Sequence, residues 1–286
     1  MTAALTAARP RPVARVGARA RTLPPVTVLV SLAVLTVVLV WSLVPGLVTG
    51  HDPAVGIPDD KFTAPSWQYW LGTDHLGRDL LTRIVHGSAS SMTSALIAVA
   101  IGVLAGGLLG LLGGYLGGWV DAVIGRVVEV LLAIPGFLLA VVIVTALGYD
   151  TRNAAIATGV SAVAVFARLM RSEVLRVRTS VFIEAATLSG ASAGYVLTRH
   201  VLPNAVRPVL SLAVLQFGIA ILVIAGLAFL GYGDPPPASD WGLLVSDGRE
   251  HLLHAPWLVI APGLVIAVVV LSVSRLSSWL DQGRNR

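Results

Sequence analysis

The feature that most limits the fold is a series of long stretches without any Asp, Glu, Lys or Arg. They cover residues 22–50, 84–120, 130–149, 153–167, 208–233 and 251–274. A helix that crosses the hydrocarbon of a bilayer needs about 20 mostly apolar residues. In lipid only a structure that pairs its own backbone hydrogen bonds is stable. Read as helices, the runs give six spans at roughly 26–45, 89–117, 122–147, 153–172, 207–230 and 257–279. The fourth is the shortest, with Arg152 and Arg168 at its ends, where their side chains can reach the interfaces. The chain is 56% hydrophobic and 12% charged, with a mean hydropathy of +0.84, which excludes an ordinary soluble domain. The fold class expected is an all-α membrane protein with six transmembrane helices.

The basic residues lie between the apolar blocks, so they report topology, and no nucleic-acid partner is expected. With the N-terminus inside, fifteen Lys and Arg fall on the cytoplasmic side and five on the outer side. Both termini are therefore expected in the cytoplasm. A secretory signal is the competing reading of the N-terminus. However, the uncharged run 22–50 exceeds an h-region of roughly 7–15 residues, and no A-x-A site follows it. The organisation expected is a basic tail at 1–25, a first span with an outer loop at 26–87, and a five-helix core at 88–286 carrying a cytoplasmic loop at 172–206.

Several chemistries are excluded by residue type. The chain has no Cys, hence no disulfide, thiolate site or Cys nucleophile. Its one lysine, Lys61, follows Asp60 and cannot serve a phosphate-binding loop. There is no G-x-S-x-G elbow. EHLLH at 250–254 differs from HExxH, and an outer loop is the plainer reading of it. Neither catalytic residues, nor a metal site, nor a cofactor of this chain's own is expected. Glu129, an acid early in the third span, is either an intramembrane functional group or the partner of Arg126 at i, i+3 near the inner interface.

Gly102, Gly106, Gly110, Gly114 and Gly118 recur at every fourth position of the second span. Such a stripe lets a neighbouring helix approach closely, either as fixed packing or as a moving contact. Asp234-Pro235-Pro236-Pro237 excludes regular helix and ends the fifth span. Trp241 and Trp257 flank the outer loop, at the depth that indoles favour.

The segment EAATLSGASAGYVLTRHVLPN, residues 184–204, has no catalytic group but is strongly patterned. Val181 to Ser189 can form two helical turns, Gly190 suits the left-handed residue after a helix, and Ser192 can cap a second helix to about Val201. Pro203 is expected to stop that helix, and Pro208 to open the fifth span. Small Ala185 and Ala186 beside Glu184 suit docking into a protein groove. The alternative is a helix resting on lipid headgroups.

Here the residues carry a resemblance. Glu184-Ala185-Ala186, then Gly190, then Leu202-Pro203 resembles the EAA loop of ABC importer permeases. Arg199-His200 before Leu202-Pro203 is similar to the dipeptide/oligopeptide/nickel branch. LGTDHLGRDLLTRI at 71–84, LAFLGYGDPPPASDWG at 227–242 and APWLVIAPG at 255–263 resemble that branch's outer segments, in particular those of its C-type subunit. Ala89 departs from the branch, which usually has Arg there, and the C-terminal end departs as well.

The resemblance implies a type I ABC importer permease fold, with the EAA loop as a coupling helix. It implies as partners a second, homologous permease chain, one or two ABC ATPase subunits holding ATP and magnesium, an extracytoplasmic substrate-binding protein, a peptide substrate and the bacterial inner membrane. The residues carried over are Glu184, Ala185, Ala186, Gly190, Arg199, His200, Leu202 and Pro203 for coupling. Gly72, Thr73, Asp74, Gly77, Arg78 and Asp79 form the outer signature. Nickel chelates, haem-like or opine-type solutes are the alternative cargo. A self-contained channel or secondary transporter is the alternative of a different class.

Overall fold

The computed structural model describes residues 25–284. Apart from Pro25, the basic tail lies outside the described residues, as do residues 285 and 286. Among the described residues the protein is helical, with one isolated β-bridge between Thr73 and Asp79.

Helix α1, Val26–Leu43, is followed by a loop of short turns to residue 79. Helix α2, Leu80–Ile101, runs through a π-helical turn, Gly102–Gly106, into α3, Gly107–Leu116. The second span is thus one 37-residue rod that starts at Leu80, nine residues before the predicted start. Its early start has a local cause. Asp79 caps the helix by accepting a hydrogen bond from the Thr82 N–H at 3.0 Å. The polar LLTRIVHG turn is then helical although it looks unlike a membrane segment.

The third span is not the single helix predicted for 122–147. It is α4, Gly118–Ala133, and α5, Gly136–Leu147, bent by 93°. Pro135 has no N–H and forces Ile134 into an extended conformation (φ −93°, ψ 127°), which ends α4. Helix α6, Thr151–Arg178, extends past the predicted 153–172 at both ends; at its start Asp150 caps it through the Arg152 and Asn153 N–H groups. Then come α7, Val181–Leu188, and α8, Ala193–Val196. A second π-helical turn, Leu197–Val201, joins α8 to α9, Leu202–Phe229. Helices α10, Trp241–Arg249, and α11, Trp257–Arg284, complete the chain.

Pro203 and Pro208 therefore do not interrupt the chain: the helix is continuous from Ala193 to Phe229. The π turn places the Leu202 N–H on the Leu197 carbonyl, five residues back. That wider register sits where Pro203 cannot supply the ordinary bond.

At the centre is α6, on which α2, α3, α5 and α9 pack. The glycine stripe explains the closest of these contacts. A Cβ at Gly106 would stand 2.4 Å from the Val163 carbonyl oxygen, and one at Gly110 2.3 Å from that of Ala167. Only glycine admits the α6 backbone there. Phe166, fully buried, fills the space over Gly102 and Gly106. Helix α1 packs on α2 and α11 at the side. The 46–79 loop, the 148–150 turn and residues 230–256 gather at one end of the bundle. The α3–α4 turn, α7 and α8 lie at the other.

Candidate functional site

At the α7 end, Ile183 is the buried anchor of α7. Glu184 and Ala185 are exposed and Ala186 is half-buried. Val181 and Leu188, 80% and 82% exposed, present apolar side chains outward. Such exposure on an ordered helix is what a docking surface offers. Glu184 forms no ion pair among the described residues. Gly190 has φ 85° and open space where a Cβ would project, so conformation alone requires glycine. Its N–H and that of Ala191 turn back to the Thr187 and Ala186 carbonyls, at 3.0 and 3.1 Å, and close the helix end. Ser192 caps α8 through the Tyr195 N–H.

Arg199 is exposed. His200 is half-buried, with Tyr195 edge-on at 5.6 Å and Phe182 at 6.4 Å. It thus holds α7 and the 195–200 turn together. Leu202 is half-buried and Pro203 exposed, both within the continuous helix rather than at a break.

Two side chains tie this loop to the bundle. The Tyr115 hydroxyl donates to the Ala193 carbonyl at 2.6 Å. Arg178 donates to the Gly114 and Tyr115 carbonyls at 2.9 and 2.8 Å and lies 5.7 Å from the Tyr115 ring centre. Tyr115 lies at the end of the rod formed by α2 and α3, and Arg178, the last residue of α6, reaches that rod's last carbonyls, which lack helical partners. Between them and α7 lies a cavity of about 580 Å³, lined by Glu184, Thr187 and Val196 among others.

At the opposite end the GTD–GRD residues form a knot. Asp74, 2% exposed, accepts from the Leu76 and Arg78 N–H groups at 2.8 and 2.9 Å. It also accepts from the Arg78 and Arg83 guanidinium groups at 2.7 and 2.9 Å. Burial alone would raise its carboxyl. The two backbone N–H groups and Arg78 outweigh that and hold it below the usual carboxylate range. Arg83 continues to the Ala238 carbonyl at 2.9 Å and to Asp247 at 3.6 Å. Thr73 pairs with Thr63 through both backbone and hydroxyl, and Trp257 donates to the Thr73 carbonyl at 3.2 Å. At Gly77 φ is 76°, and a Cβ would lie 1.9 Å from the Ile57 carbonyl oxygen. Gly72, with φ 78°, is also confined, since a Cβ there would lie 2.7 Å from the Thr63 carbonyl oxygen. The signature thus joins the loop, α2 and α10.

Comparison with known proteins decides the family. The profile of the family described as "Binding-protein-dependent transport system inner membrane component" matches residues 98–286. This chain belongs to that family. The dipeptide transport system permease protein DppC of Alkalihalophilus pseudofirmus is 39% identical over 252 residues, 88% of this chain and 83% of the relative. The glutathione transport system permease protein GsiD of Escherichia coli O157:H7 is 39% identical over 222 residues, 78% of this chain and 73% of its own. Two solved structures share the fold, each at TM-score 0.56. An amino acid ABC transporter chain is 18% identical and covers 71% of this chain and 94% of its own. The MetNI methionine ABC transporter chain is 16% identical and covers 70% and 97%. The chain is an ABC transporter permease subunit, with the type I fold.

For this permease, other residues matter that the sequence did not single out. Tyr115 and Arg178 hold the loop. Arg171 and Asp121 pair between α6 and α4, with Arg171 Nη2 2.6 Å from Asp121 Oδ2. Asp240 is buried; it accepts from Ser91 at 2.7 Å and caps α10 through the Gly242 N–H at 2.9 Å. Burial pushes its carboxyl up. Trp241, read as an interfacial indole, is fully buried and donates to the Ile84 carbonyl at 3.0 Å. Its position corrects that reading: the indole locks α10 to α2 and does not face headgroups. Glu129 does pair with Arg126, at 3.2 Å, and both are exposed. His251 stacks on His75, with ring centres 5.5 Å apart.

Proposed function

We propose that this permease forms half of the translocation pathway of an ATP-driven importer of dipeptides and short oligopeptides. The observation that carries the coupling role is a free acidic helix on an anchored loop. Helix α7 presents Glu184, Val181 and Leu188 outward, while Tyr115 and Arg178 fasten the loop behind it to the bundle. The cargo assignment rests on the names of the DppC and GsiD relatives, a dipeptide and a glutathione transport permease.

In this reading the α7 end faces the cytoplasm, the side that the Lys and Arg distribution favours. ATP and magnesium sit on partner ABC ATPase subunits, whose groove grips α7. Glu184 supplies a charge-assisted contact, and Ala185 and Ala186 let the helix seat closely. Gly190 gives the turn its shape; Arg199 and His200 fix the arm that leads into α9. A homologous permease chain completes the pathway, and a substrate-binding protein delivers peptide to the end carrying Asp74. ATP favours one bundle conformation because α7 contacts the ATPases differently in the two states. The test is reconstitution in vesicles. Peptide uptake should require the ATPase subunits, ATP and the binding protein together. Uptake by the permease chains alone would favour a self-contained carrier and overturn the proposal.

A further inference from the structure

A cavity of about 410 Å³ lies between α2, α5, α6 and α9, open on the side of Phe137 and Ile219. Its walls are mostly apolar and carry no acid, lysine, arginine or histidine. Three polar features break that pattern. The Thr158 hydroxyl, on a residue 5% exposed, is buried at the wall and has no hydrogen-bond partner among the described residues. Gln216 of α9 lines the opposite side, half-buried. The first turn of α5, at Gly136 and Phe137, forms a third wall, because the bend at Pro135 starts a new helix there. The first intrahelical bond there is Leu139 N–H to the Pro135 carbonyl, and no side chain caps the N–H groups before it. Ser161 is already committed, donating to the Thr158 carbonyl at 2.7 Å.

Buried polar groups in hydrocarbon are costly unless paired. Here a buried hydroxyl, a half-buried carboxamide and free helix N–H groups belong to the walls of one cavity, where a lipid tail could pair none of them. The group that matches both donors and acceptors without needing a counter-charge is a neutral amide. We infer that this cavity is a subsite on the transport path that holds a backbone amide of the passing peptide. The free N–H groups at the α5 N-terminus donate to the amide carbonyl, and the amide N–H donates to the Thr158 or Gln216 side-chain oxygen. The inference rests on the importer reading and adds where and by what chemistry the cargo is held.

The test uses the full complex in proteoliposomes, with alanyl-alanyl-alanine and its two analogues N-methylated at either of the two peptide amides, of which the more slowly transported is compared with the parent. The wild type should transport the parent peptide about 5- to 10-fold faster, the size expected for one lost hydrogen bond. Because the binding protein is common to all assays, the ratio of ratios isolates the permease. Thr158→Val combined with Gln216→Leu should bring the two peptides within 2-fold. Thr158→Ser with native Gln216 should restore the preference, and binding-protein-stimulated ATP hydrolysis should persist throughout. A double variant that discriminates as the wild type does overturns the subsite alone. Loss of co-purification with the second permease chain would mean that a side chain of that partner occupies the cavity, and also overturns it. Failure of the wild type to move either peptide overturns the importer reading itself.

Discussion

The Tyr115 hydroxyl donates to the backbone carbonyl of Ala193 at 2.6 Å, joining the end of the long α2–α3 rod to the first residue of α8. Movement of the loop that carries α7 is therefore also movement of a membrane span. Tyr115→Phe removes this bond and keeps the ring over which Arg178 lies. A neutral hydrogen bond contributes about 1 kcal/mol net, a factor of about 5. The expected result is intact assembly and ATP hydrolysis, with several-fold less peptide moved per ATP. A transport-to-hydrolysis ratio equal to the wild type would show that the bond transmits nothing.

Orientation is open to a direct check, because the chain has no native cysteine. Thr187 is exposed beside Glu184 in the loop cavity. A single Thr187→Cys should react with a membrane-impermeant maleimide only from the cytoplasmic side, and more slowly when the ATPase is bound. Reaction from outside would invert the topology.

The glycine stripe separates packing from propensity. At Gly110 a methyl group meets the α6 backbone at 2.3 Å, whereas at Gly125 nothing lies within 4 Å. Gly110→Ala should destabilise the protein by about 1–3 kcal/mol through overpacking. Gly125→Ala, in an unobstructed helix interior, should stabilise it by roughly 0.5–1 kcal/mol. Thermal unfolding of the purified permease in detergent compares the two, which should move in opposite directions.

Asp74 compensates two buried guanidinium groups, so Asp74→Asn should cost about 3–5 kcal/mol. The pH dependence follows from its lowered carboxyl. A group whose folded pKa is depressed contributes fully above the unfolded value of 3.8 and loses that contribution as pH falls through the folded value. The stability gap between wild type and Asp74→Asn should therefore stay constant from pH 8 to pH 5 and shrink only below 3.8. Unfolding midpoints at stepped pH measure it. A gap that closes near pH 6 would contradict the assignment.

Much of this permease is legible in sequence because lipid leaves few options. Charge-free runs located the spans, and the stripe from Gly102 to Gly114 marked the face on which α6 packs. The Gly190 turn and the Ser192 cap were readable because their conformations are local. The breaks were misread for a physical reason. Pro135 bends a span by 93°, while Pro203 and Pro208 lie within one continuous helix. Whether a proline breaks a helix depends on what else can supply or forgo the missing bond, here a π turn. The tie between Tyr115 and Ala193, 78 residues apart in sequence, and the burial of Trp241 are tertiary facts. No local pattern announces them. Arg83 lay within the quoted signature, yet only the fold reveals that it shares Asp74 with Arg78.

The central claim is that exposed Glu184 on α7 couples ATP hydrolysis on a partner to movement of the bundle. Uptake of labelled dipeptide by cells producing Glu184→Lys, alongside the amount of permease in the membrane, tests it most directly. The account predicts normal membrane levels with uptake abolished, since a reversed charge would meet the ATPase groove. Uptake at the wild-type rate in that variant would contradict it.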